Sequence, residues 1–250
     1  MSTLVVRDAA RAFGGVRAVD GVSFTVDAGE RVALIGPNGA GKSTLFNLVT
    51  GQLRPDAGTI AIDGRPTAGL PPRAIARLGV GRTFQVAATF ASMTVRENVQ
   101  MALLAHARRH FGLWRPARAH FAAEADALLA LVDMQGAAER GAGVLAYGDL
   151  RRLELAMALA GSPRLLLLDE PTAGMAPGER AGLMAAMTRV AGERGLAVLF
   201  TEHDMDVVFG HATRILVLDR GRLIAEGAPD AVRRDPKVRA VYLGSAADVP

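Results

Sequence analysis

The chain contains no cysteine. Disulfides, cysteine-ligated zinc and a thiol nucleophile are therefore excluded. Lysine is nearly absent as well. Among 29 basic residues only Lys42 and Lys237 are lysine, which makes the position of Lys42 conspicuous. No apolar run reaches the roughly 18–20 residues that span a bilayer. The first ten residues lack a basic stretch followed by a long apolar core, so no signal peptide is expected. A cytoplasmic location follows as an expectation, and any work at a membrane requires another chain to do the spanning. Excess charge is small too. The net value is +4, less concentrated than in most nucleic-acid binders, so no nucleic-acid partner is expected.

What remains is a chain able to fold. Half of its 250 residues are apolar, which excludes wholesale disorder and allows one large domain, or a domain with a subdomain. The pattern predicts short strands at 3–7, 22–26 and 31–35, with turn signals at Gly14-Gly15 and Ala28-Gly29. The third runs into a glycine-rich turn and a helix at 42–51. A further strand at 59–63 closes on Asp63-Gly64. From near Val95 to about Ala160 the chain is rich in Ala, Leu and Met at helical spacing, and 86–160 reads as an inserted helical subdomain. The continuous apolar run 165–168 reads as a strand buried on both faces. Then come a helix at 178–192, a strand at 197–201, a helix at 205–210, strands at 214–219 and 222–226, and short helices in 229–243. This alternation predicts an α/β fold with a mixed sheet core, an N-terminal β region and an inserted helical subdomain.

The sharpest motif is Gly36-Pro37-Asn38-Gly39-Ala40-Gly41-Lys42-Ser43-Thr44. It matches G-x-x-x-x-G-K-[ST] between a strand and a helix. Glycines open backbone torsions that let successive N–H groups converge on phosphate oxygens. The helix N-terminus adds partial positive charge. Lys42 is placed to reach the β- and γ-phosphates and Ser43 to ligate Mg²⁺. The second motif is the 165–168 strand ending in Asp169-Glu170. Such a strand delivers two carboxylates to the sheet edge where α/β folds bind ligands. Asp169 is the candidate Mg²⁺ ligand and Glu170 the candidate general base. Alone, this pair would be an ordinary helix cap.

Weaker signals gain weight from their order. His203, after another strand, is positioned to touch a γ-phosphate and hold the water geometry. Gln85 lies where the sheet pattern yields to the helical one. Its amide could ligate Mg²⁺ or orient water; alone it reads as a surface turn residue. Phe13 could stack on adenine or be core. Leu145-Ala146-Tyr147-Gly148-Asp149 precedes a helix whose N–H groups could bind phosphate. His106 and His110 share a helix face without a third ligand, and read as a solvated face rather than a zinc site. Met184, Met187 and the stripe 122–132 read as core.

In this order the segments resemble the ATP-binding subunits of ABC transporters over nearly the whole chain. The resemblance implies the P-loop NTPase fold of the ABC ATPases. Its RecA-like core is 1–85 and 161–228, its helical subdomain about 86–160, its tail 229–250. Walker A is then 36–44, the Q-loop Gln85, the signature 145–149, Walker B 165–169 with Glu170, the D-loop 173–176 and the switch histidine His203. Arg11-Ala12-Phe13-Gly14-Gly15, Gly81-Arg82-Thr83-Phe84-Gln85, Leu145-Ala146-Tyr147-Gly148, Glu202-His203-Asp204-Met205 and the tail Asp235-Pro236 resemble the LivG-like type, which serves branched-chain amino acid importers. Two departures stand out. Ala146 and Asp149 replace the Ser and Gln of the common signature, and Asp149 needs its charge offset, with Arg151 or Arg152 the candidates. Ala176 stands where the D-loop is usually polar.

The resemblance implies a head-to-tail dimer holding two ATP between Walker A of one subunit and the signature of the other, here Ala146, Tyr147, Gly148 and Asp149. It implies Mg²⁺, transmembrane permease subunits, a second ATPase chain, identical or paralogous, and indirectly a solute-binding protein. It places the chain on the cytoplasmic face of the membrane. The expected function is the ATPase of a branched-chain amino acid importer. Import of urea, amides or other amino acids, and lipid or lipopolysaccharide export, are the alternatives.

Overall fold

The computed structural model describes residues 2–83, 89–107 and 120–243. In chain order the elements are β1 (Ser2–Phe13), β2 (Val16–Asp27), β3 (Arg31–Ile35), α1 (Lys42–Val49), β4 (Ala57–Ile62), β5 (Arg65–Pro66), α2 (Pro72–Ala76) and β6 (Val80–Arg82). There follow α3 (Val95–Ala107), α4 (Ala122–Leu131), α5 (Tyr147–Leu159), β7 (Leu165–Asp169), α6 (Pro177–Arg194), β8 (Ala197–Thr201), α7 (Met205–His211), β9 (Arg214–Asp219), β10 (Arg222–Gly227), α8 (Pro229–Arg234) and α9 (Pro236–Leu243).

The described strands form two sheets, one in the order β2-β1-β4-β5 and one in the order β10-β9-β3-β8-β7-β6. The first is antiparallel throughout. The second is parallel from β9 to β6, with β10 antiparallel at its edge. Both faces of its central strands are covered, and alternation along each strand decides which residue faces where. Ala33, Ile35, Leu166, Leu168, Val198 and Phe200 turn to the core shared with the helices. Val32, Leu34, Leu165, Leu167, Ala197 and Leu199 turn to the core that holds Leu45, Phe46 and Val49 of α1 against the antiparallel sheet. The stripe in α4 (Ala125, Leu128 and Leu129) and Met184 and Met187 in α6 are buried as expected.

The strands β3, β8 and β9 have the predicted bounds. Others run longer than the pattern suggests. β1 continues past Arg7 because Asp8 takes a left-handed φ of 47° and the pairing with β4 shifts register between Arg7 and Ala10. This is a bulge, which bends a strand without ending it. The helix predicted to reach residue 51 stops at Val49, and Gly51 takes φ 71° with Ile75 packed against its backbone. The buried Asn98 fixes the entry to α3. Its amide donates to the carbonyls of Phe90 and Thr94 at 3.1 and 2.9 Å and accepts from the Phe90 N–H at 2.7 Å.

Parallel pairing brings the C-terminal ends of β3, β7 and β8 to one edge. Leu34 is opposite Thr201 and Asp169 is opposite Thr201 on the other side. Three loops therefore leave that edge together, at 36–41, 170–176 and 202–204.

Candidate functional site

The 36–41 loop is held in a shape only glycine allows. Gly36, Gly39 and Gly41 have φ of 157°, 79° and 105°. A Cβ on Gly41 would stand 2.1 Å from the Ala18 carbonyl oxygen, and one on Gly36 2.1 Å from that of Leu218. Gly41→Ala therefore combines a forbidden torsion, costing about 1–3 kcal/mol, with a backbone clash. The expected result is a melting temperature lower by about 4–8 °C, from a loss near 2 kcal/mol, with nucleotide binding lost; thermal unfolding and ATP titration check it.

The start of α1 has no side-chain cap, so its first N–H groups are available to an anion. Ser43 is exposed there. Lys42 is 8% exposed. Its ammonium donates to the carbonyls of Gly36 at 2.6 Å and Pro37 at 3.2 Å. Burial pulls it below the ordinary lysine value, opposed by the nearby carboxylates of Glu170 and Asp169.

The carboxylates are tied into the adjoining strand. Oδ1 of Asp169 accepts from the Thr201 hydroxyl at 2.8 Å, and its Oδ2 is 3.7 Å from the guanidinium of Arg82. The same hydroxyl accepts from the Glu170 N–H at 3.0 Å. Glu170 has φ 49°, a left-handed torsion that a side chain adopts only when its surroundings impose it. Nε2 of His203 lies 2.7 Å from Oε1 of Glu170. A carboxylate only accepts here, so Nε2 carries the proton. Among the described residues no group of three or more side-chain ligands forms a metal cage. Ser43 and Asp169 offer a small oxygen donor set, which suits a hard cation that takes its other ligands from phosphate and water.

The remaining predicted residues are spread over other elements. Phe13 ends β1, 44% exposed, with the Arg11 guanidinium 5.0 Å from its ring centroid. Ala146 precedes α5 without a side-chain cap. Tyr147 packs beside Gly174, and Gly148 faces Glu179 so closely that a Cβ would be 2.7 Å from its carboxyl carbon. The charge of Asp149 is met by Arg140 at 3.8 Å, not by Arg151 or Arg152 as expected. Arg151 pairs with Glu154 and the Tyr147 hydroxyl, and Arg152 reaches the Val132 carbonyl. Ala176 leaves only half of a capping box at α6, the Glu179 carboxylate accepting its N–H at 3.3 Å. Gln85 and His110 lie outside the described residues, and His106 lines a groove described below.

Sequence reading passed over Arg82, Thr172, Thr201 and Glu202. Arg82 lies under the site, donating to Asn47, Thr50 and Gln52 at 3.0–3.1 Å beside Asp169. Its motif was visible, but its partners lie some thirty residues away in the chain.

A phosphate loop, an uncapped helix start and a carboxylate–histidine pair at one parallel-sheet edge define a P-loop nucleotide-binding protein. Comparison narrows the class. The family described as ABC transporter matches residues 19–173, and the chain belongs to that family as an ATP-binding subunit. It is an ATPase whose hydrolysis is coupled to transport. The family described as Branched-chain amino acid ATP-binding cassette transporter matches residues 222–248. The chain is 42% identical over 242 residues to the high-affinity branched-chain amino acid transport ATP-binding protein BraF of Pseudomonas aeruginosa, covering 94% of each. It is 41% identical over 243 residues to the corresponding protein LivG of Salmonella typhimurium, again over 94% of each. The structure of an ATP-binding cassette of an ABC transporter in its ADP conformation matches with a TM-score of 0.87 at 31% identity, over 98% of this chain and 99% of that one.

Proposed function

We propose that this subunit energises the import of branched-chain amino acids. The observation that carries the reading is the agreement between near-full-length likeness to two such ATPases and a separate match of the tail, residues 222–248, to a family of that name. No helix among the described residues is long and apolar enough to cross a membrane. The proposed place of work is the cytoplasmic face, with permease subunits doing the spanning.

In this reading residues 1–85 and 161–228 form the catalytic core, about 86–160 the helical subdomain and 229–250 the tail. Phe13 stacks on adenine. The N–H groups of Gly36, Asn38, Gly39, Ala40, Gly41 and Thr44 line the phosphates, Pro37, which has no N–H, shapes the turn between them, and Lys42 reaches the terminal ones. Ser43, Asp169 and Gln85 hold Mg²⁺, which supplies neutralising charge at the phosphates. Glu170 takes a proton from the attacking water, and His203 holds the water and γ-phosphate in line. Phosphoryl transfer needs such positioning and charge more than covalent chemistry. The exposed start of α5, with Ala146, Tyr147, Gly148 and Asp149, meets the γ-phosphate of a second subunit. With Ala146 lacking a hydroxyl, the helix N–H groups carry that contact.

Permease docking is supported by a groove of about 390 Å³ between α2, β6, α3 and α5. Its walls include Ile75, Val80, Ala102 and Met157, and it borders Arg82 and Thr83, at the approach to Gln85. Glu154 is buried in its wall, and its Oε1 has no hydrogen-bond partner among the described residues. A permease segment seated there would feel nucleotide state through the same strand, β6, that leads to Gln85.

The test is uptake of labelled leucine, isoleucine and valine in cells carrying Glu170→Gln in place of the native chain. Selective loss supports the reading. Normal uptake, with the variant expressed and no redundant importer, overturns the substrate and leaves the ATPase standing.

A further inference from the structure

Both neighbours of His203 are anchored to the polypeptide that follows Glu170. On one side Glu202 is 4% exposed and Thr172 3%. Oε1 of Glu202 accepts from the Thr172 N–H at 2.8 Å and from its hydroxyl at 2.7 Å. Oε2 accepts from the His203 N–H at 3.2 Å. On the other side Asp204 accepts from Arg180 of α6 and caps α7 through the N–H groups of Asp206 and Val207 at 3.0 and 3.3 Å. With the Thr201 hydroxyl joining Asp169 and the Glu170 N–H, the two loops are linked rung by rung.

The chemistry of the Glu202 rung is specific. A buried carboxylate is costly to desolvate, and its three donors here are two amides and a hydroxyl, none a cation. What a carboxylate offers in return is acceptance at both oxygens. A glutamine would turn an NH₂ group against either the Thr172 pair or the His203 N–H. Glu202 is thus suited to bind the two loops at once, two residues beyond the carboxylate on one side and at the histidine backbone on the other.

We infer that Glu202 is a positioning residue for ATP hydrolysis: by bridging Thr172 and the His203 N–H it fixes the imidazole of His203 against Glu170. The inference rests on the roles proposed above for Glu170 and His203. It assigns Glu202 no contact with nucleotide.

The experiment is a double-mutant cycle in the assembled transporter. Glu202→Gln is measured alone and with His203→Ala, by kcat and KM for ATP, ATP Kd and melting temperature. Residues in one hydrogen-bond network couple strongly enough for Glu202→Gln to lower kcat about tenfold. KM and Kd should stay within about twofold. In the His203→Ala background the same change should cost nothing more. Thr172→Val, nearly isosteric, should lower kcat several-fold without loss of folding, and Thr172→Ser should recover most of that loss. The inference fails if Glu202→Gln leaves kcat within twofold of the native rate while His203→Ala does not. It fails equally if the two losses multiply, or if Kd rises in step with the fall in kcat. If His203→Ala itself keeps the native rate, the assignment of His203 falls, and this inference with it.

Discussion

Glu170→Gln is expected to reduce ATP turnover by about 10²–10⁴-fold while leaving nucleotide bound. The substitution keeps size and shape and removes only basicity, so little else at the site should move. The left-handed torsion of Glu170 is imposed by its N–H bonds to the Thr201 hydroxyl and carbonyl, which the amide retains. The phosphate cradle proposed at 36–42 draws on backbone N–H groups and Lys42, not on this side chain. Losing one negative charge beside an anionic ligand should tighten ATP binding rather than weaken it. The two effects therefore have opposite signs, and together they separate a lost base from a damaged site. Steady-state phosphate release and ATP titration give the two readings. An undiminished turnover rate would remove Glu170 from the role of base. A raised Kd would instead point to disruption of the loop.

Much of this site was legible because its elements announce themselves locally. The 36–44 motif depends on glycine torsions, which a sequence displays directly. Strands β3, β7 and β8 are buried on both faces, so they read as unbroken apolar runs, and their acidic or polar ends mark the functional edge. The pattern ends β1 at Arg7 because a bulge at Asp8 looks like a turn. The short β6 has only three residues and no periodicity to find.

The links between loops were not legible. Thr201 meets Asp169 across 32 residues and Glu202 meets Thr172 across 30. Only the parallel register of β7 and β8 brings them together. The charge of Asp149 shows the same limit from the other side. Arg151 is two positions from Asp149 and so does not share its helix face; Arg152, three positions on, does, but it is drawn to partners outside the helix. Arg151 faces Glu154 one turn on, and Arg152 turns toward Asp133. Arg140, outside the helix, takes the role that spacing assigned to them.

Lys42→Met should raise the Kd for ATP by about 10²-fold and that for ADP by much less. In the structure the ammonium donates to the Gly36 and Pro37 carbonyls. Anionic phosphate oxygens are stronger acceptors for an ammonium than neutral carbonyls. A hydrogen bond involving charged groups contributes about 1.5–3 kcal/mol, which sets the factor of about 10²; the γ-phosphate provides the part that ADP lacks. Burial holds the lysine below its usual proton affinity, while Glu170 and Asp169 oppose that shift. Methionine fills the same space without the charge, and a modest fall in melting temperature is expected as the Gly36 carbonyl loses its partner. Calorimetric titration with both nucleotides and a thermal melt check the set. If ATP and ADP weaken equally, Lys42 acts on the β-phosphate alone. If neither weakens, the glycine-shaped loop and the start of α1 hold the phosphates without it.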